Sequence, residues 1–70
     1  MNEQEEKLMG IYMAGFVDEL SGQPETEFAE PLYKRAYQLG RVDAFIGDEV
    51  RSVDYKTNEE TLHRIYNINT

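Results

Sequence analysis

Tyr12-Met13-Ala14-Gly15-Phe16-Val17-Asp18-Glu19-Leu20-Ser21-Gly22 decides the fold, because its frame returns as Tyr37-x-x-Gly40-x-Val42-Asp43-x-x-x-Gly47. Five identities recur at one offset of 25 residues. Self-similarity of this kind marks a repeated supersecondary unit, and Gly and Tyr are not what helix propensity alone would select. At 100° per residue, Tyr12, Gly15, Asp18 and Gly22 fall within an arc of about 120°, joined by Leu8 and Ile11. Tyr37, Gly40, Asp43 and Gly47 do the same, joined by Tyr33, Ala36 and Ala44. A mid-helix glycine costs about 1 kcal/mol relative to alanine, so two at matching positions imply a close approach by something else. The expected helix seam is therefore Tyr12, Gly15 and Asp18 against Tyr37, Gly40 and Asp43. Each tyrosine ring should lie over the other helix's glycine, and each aspartate should accept from a tyrosine hydroxyl or a nearby N–H.

Outward from the repeat, the first copy sits in a helix from about 3 to 21, stopped by Gly22 ahead of Pro24. Pro31 suits a first helical turn, which predicts a second helix over about 31–46, ending at Gly47. The acidic stretch from Gln23 to Glu30 is short enough to predict antiparallel neighbours, a helical hairpin. Asp48 to Lys56 reads as an extended linker. Thr57-Asn58-Glu59-Glu60 fits a capping box and opens a third helix over about 58–66, with Leu62, Ile65 and Tyr66 on its apolar side. The fold class is all-α: a hairpin of two YxxGxxD repeats plus a short C-terminal helix, in a single domain over 1–70.

Seventy residues with no cysteine sit near the lower limit for an independent core, and neither a disulfide nor a thiolate metal site is available to help. Helix one has a second apolar face in Met9, Met13, Phe16, Val17 and Leu20, matched on helix two by Leu39, Val42, Phe45 and Ile46. A hairpin buries one face of each helix, so the third helix should cover part of the rest. Self-association through Met9, Met13, Phe16, Leu20 and Phe45, as a homodimer, should cover what remains.

Fourteen acidic against seven basic side chains give a net charge of −7. That sign disfavours direct binding to nucleic acid or to anionic membranes and favours a basic protein partner. No apolar run is long enough to cross a membrane, and Asn2-Glu3-Gln4-Glu5-Glu6 is acidic where a secretory signal is basic, so the expected location is the cytoplasm of a bacterial host cell. The expected partner contacts are Glu3, Glu5 and Glu6 with Glu25, Glu27 and Glu30, or Asp48, Glu49 and Asp54 near the end of helix two. Lys34, Gln38 and Arg41 read as a solvated stripe, and His63, beside Arg64 and without a second histidine, as a surface residue. Asp18 and Asp43 lack a nucleophile, a base or a phosphate loop, and Asp48, Glu49 and Asp54 lack the calcium-loop pattern. No catalytic residue, cofactor or metal is expected.

The two Tyr-x-x-Gly helices within about residues 8–47 resemble ribosome modulation factor, a family of small bacterial two-helix proteins that dampen translation. That family is basic because it binds ribosomal RNA. This chain is acidic, so the resemblance implies at most the hairpin shape. Ala36-Tyr37-x-x-Gly40-x-x-Asp43-Ala44-x-x-Gly47-Asp48 is similar to small accessory proteins of phages and mobile elements, of no named family. The leading expectation is a small acidic, non-enzymatic interaction protein, a phage-type inhibitor of a basic nucleic-acid-handling host protein. The alternatives are a structural or regulatory homodimer and a ribosome-associated, modulation-factor-like protein.

Overall fold

A computed structural model describes residues 2–50 and 58–67, the side chains of 48–50 excepted. It is all-α, a hairpin of α1 (Glu3–Leu20) and α2 (Pro31–Val50) with a short C-terminal α3 (Asn58–Tyr66).

Local chemistry sets most of these boundaries. Asn2 is extended and its side chain accepts from the Glu5 N–H at 2.8 Å, while the Glu5 carboxylate accepts from the Asn2 N–H at 3.0 Å. This reciprocal box satisfies two backbone donors, and Glu3, Glu5 and Glu6 complement the positive end of the helix. At the other end Gly22 adopts φ +69°, its N–H bonding the Glu19 carbonyl at 3.2 Å and the Gln23 N–H bonding the Asp18 carbonyl at 2.9 Å. That is a Schellman stop.

The matching glycine of the second copy behaves differently. α2 runs through Gly47 to Val50, one turn past the expected end. A helix ends when the chain turns left-handed and captures its last carbonyls. Gln23-Pro24 enforces this after Gly22, and no proline succeeds Gly47. The first three residues of the expected 48–56 linker are therefore helical. Its remainder, and the Thr57 cap, lie outside the described residues.

The order of contacts corrects the expected antiparallel sense of the pair. Near the helix starts, the Lys7 ammonium lies 5.0 Å from the centroid of the Tyr33 ring. Near the ends, Arg41 pairs with Glu19 at 3.3 Å, and Leu20 lines one depression with Phe45. Starts thus lie by starts and ends by ends, so α1 and α2 cross with the same sense of direction. The connection brings the chain back. Gln23 meets Arg41, Glu25 meets Gln38 and Thr26 meets Tyr37, so the segment runs against the direction of α2. Ten extended residues reach about 33 Å, more than the roughly 27 Å of an 18-residue helix. A connection of this length is short for a loop but long enough for a return.

The core gathers Leu8, Ala36, Leu62 and Ile65, with Met9, Ile11, Tyr12, Leu32, Tyr33 and Leu39 packed around them. α3 thus covers the N-terminal halves of both helices. Met9 and Leu39, two members of the expected outer faces, are drawn into that cluster.

Candidate functional site

The two glycines of the repeat are where the helices touch. A Cβ added at Gly15 would overlap the Tyr37 carbonyl oxygen and stand 3.0 Å from its carbon. One added at Gly40 would overlap the Tyr12 carbonyl oxygen and stand 3.0 Å from the Phe16 nitrogen. The notches therefore receive backbone, where the sequence suggests tyrosine rings. Removing both side chains lets two helices of the same direction approach until main chain meets main chain.

The rings instead cross the seam at its flanks. The Tyr12 hydroxyl donates to Asp43, and the Tyr37 hydroxyl donates to Asp18 at 2.6 Å. Each bond joins the tyrosine of one copy to the aspartate of the other, so the pair is closed by two clasps related by an approximate two-fold. This brings Tyr12, Gly15, Asp18, Tyr37, Gly40 and Asp43 together along one seam.

Third parties distinguish the clasps. Arg64 of α3 reaches Asp43 with both terminal nitrogens, at 2.9 and 2.8 Å, a fork matched to a carboxylate. Burial first, then the bond to Asp43 and that residue's charge, push the Tyr12 hydroxyl far above its ordinary pKa of 10.0, with Arg64 opposing. The bond to Asp43 raises the Arg64 pKa in turn. On the other side, the Tyr37 hydroxyl accepts from the Thr26 N–H at 3.0 Å and from Arg41 at 3.3 Å, and Phe28 stacks at a tilt with ring centroids 5.3 Å apart. Arg41 also donates to the Gln23 carbonyl and pairs with Glu19. Arg41 thus holds the return segment, a role the solvated-stripe reading misses. Nothing local in the sequence marks Arg64, because its partner lies 21 residues away.

Chemically, both hydroxyls and both carboxylates of the repeat are engaged with each other or with arginine, which is structural use of acid–base groups. Among the described residues no grouping of three His, Asp or Glu has metal-holding geometry. No helix there is long and apolar enough to cross a membrane. His63 is exposed, its Nδ1 3.3 Å from the Asn67 amide.

The surface carries the remaining sequence candidates. Met13, Leu20 and Phe45 are exposed at 49, 58 and 54%, with Val17, Val42 and Ile46 alike at 52, 48 and 52%. Phe16 is half-buried, its ring centroid 6.3 Å from that of Tyr12. α3 does not cover these six exposed side chains. Glu3, Glu6, Glu27 and Glu30 are exposed, Glu5 closes the α1 cap, and Glu25 accepts from Gln38. The side chains of Asp48 and Glu49, and the whole of Asp54, lie outside the described residues.

No protein family, curated protein or solved structure matches this chain.

Proposed function

We propose that this protein is a non-enzymatic interaction module that binds a basic surface on another protein, of the kind that otherwise engages nucleic acid. The observation that carries the reading is the shared direction of α1 and α2. It gathers Glu3 and Glu6 at the same end of the pair as Glu30, with Glu27 lining a depression beside Lys34 one turn along. Two acidic segments more than twenty residues apart in sequence meet at one end, where Glu3, Glu5, Glu6, Glu27 and Glu30 outnumber Lys7, Lys34 and Arg35. A field of one sign speeds encounter with the opposite sign and makes binding depend on salt. The engaged state of the tyrosine and aspartate groups supports a binding role over a chemical one.

Capture of proteins from a bacterial extract at low salt, with elution at high salt, tests the reading. Basic nucleic-acid-handling proteins should be retained by the wild type and released by salt. They should be lost from a variant carrying Glu3→Lys, Glu6→Lys and Glu30→Lys. Retention of the same proteins by that variant would sink the reading.

A homodimer is the second reading, favoured by the six half-exposed apolar side chains on α1 and α2. Light scattering at two salt concentrations separates the two. A stable dimer that captures nothing would assign the apolar faces to self-association and the charge to solubility.

A further inference from the structure

One face of α1 is spent on the seam with α2, and the opposite face has an order of its own. It reads Glu3, Glu6, Gly10, Met13, Val17, Leu20, in alternating steps of three and four residues, and all six are exposed. That spacing is the a/d repeat by which one helix packs along another. The first third of the stripe is acidic and the last half is apolar. Between them Gly10 has nothing within 4 Å of the position its Cβ would take. Unlike Gly15 and Gly40, it meets no neighbour among the described residues that would explain a residue disfavoured in a helix interior.

We propose that this face of α1 docks a single amphipathic helix of a partner protein. Its Lys or Arg side chains stand opposite Glu3 and Glu6, and its apolar side chains pack on Met13, Val17 and Leu20. The partner backbone comes closest at Gly10. Charge selects this occupant over a second copy of the chain. Two copies paired in parallel on this face would stack Glu3 on Glu3 and Glu6 on Glu6. Paired antiparallel over the whole stripe, they would set Glu6 against Val17 and Glu3 against Leu20, covering carboxylates with apolar groups and no counter-charge. A helix that is basic at one end and apolar at the other meets neither penalty.

This inference rests on the interaction-module reading and narrows it to one face and one kind of ligand. The test is selection of helical peptides, about 20 residues long and varied at their a, d and flanking positions, on the full-length protein. The selected peptides should carry Lys or Arg at one end and apolar residues along the stripe. Fluorescence anisotropy should show binding weakened about tenfold or more by Val17→Glu, and several-fold by Glu3→Lys with Glu6→Lys or by added salt. Gly10→Leu should raise helix stability while lowering affinity, a pairing of signs that general misfolding does not produce. Circular dichroism checks that the Val17→Glu variant keeps its helices.

Failure to select any peptide, selection of peptides without basic residues, or equal affinity for the Val17→Glu variant would each overturn the proposal. A dimer that Val17→Glu dissociates would overturn it too, by giving the face to a second copy. Salt-sensitive capture of basic proteins that ignores Val17→Glu would remove this face and leave the broader reading standing. No capture at all would remove both.

Discussion

The two tyrosine–aspartate clasps use the same residues and reach different ends. At Tyr12–Asp43 the third partner is a guanidinium from α3, so one carboxylate ties three helices together. At Tyr37–Asp18 the third partners are the backbone of the return segment and Arg41, so the hydroxyl ties a connection to the helix beside which it runs. The repeat supplies the bond across the seam. Each flank is closed by parts of the chain that are not repeated. A duplicated motif can therefore fix how two helices pair while leaving the rest of the molecule asymmetric.

The largest effects should fall on the feature the clasps share. Gly15→Val and Gly40→Val each force a side chain into main chain that cannot yield, and each should cost about 3 kcal/mol or more in chemical denaturation. Gly10→Ala, on the open side of the same helix, should gain up to about 1 kcal/mol. Equal stability of all three would mean that the glycines are not contact points.

The next effect separates the clasps. Asp43→Asn strips Arg64 of its charged partner in a half-buried setting and should cost about 2 kcal/mol, with α3 signals in hydrogen exchange losing protection first. Asp18→Asn leaves Arg41 paired with Glu19 and should cost about half as much. A reversed order would show that α3 contributes little to holding the hairpin.

Removal of the hydroxyls sharpens the contrast by location. Tyr12→Phe and Tyr37→Phe should each cost about 1 kcal/mol, but only Tyr37→Phe should speed exchange of the Thr26 amide. Tyr12 adds an alkaline limb. Its folded pKa is raised, so above pH 10.0 the unfolded chain loses a proton that the folded chain keeps, and stability falls as pH rises. Melting temperatures of the wild type should drop through that range, and Tyr12→Phe should flatten the drop. Last, Gly22→Ala places a Cβ at φ +69° and should cost about 1 kcal/mol, read as a lower melting temperature.

Much of this fold is legible along the chain because helix signals are local. The repeat frame, Pro31 and Gly22 each act within a few residues, and they place α1 and the start of α2 where the structure has them. The capping box at Asn2 and Glu5 is equally readable as Asn-x-x-Glu. Gly47 shows the limit of such signals. A glycine stops a helix only when the next residues can turn away, and the stretch after Gly47 continues the helix. Arg41 and Arg64 are not legible as clasp residues, since an arginine on a polar stripe looks the same whether it meets water or a carboxylate from another element.

The sequence by itself determined that this protein is helical, that Tyr12, Gly15 and Asp18 and their copies belong to one seam, and that its surface is acidic. These come from periodicity, from the cost of glycine in a helix and from counting charges. Only the tertiary structure decided that the paired helices run the same way and that the glycines receive backbone. It also decided that Asp43 is shared with α3 and that the connecting segment runs back along α2. Those outcomes depend on where the chain returns after Gly22, and the extended reach of ten residues is compatible with either direction until side chains such as Lys7, Tyr37 and Arg41 find their partners.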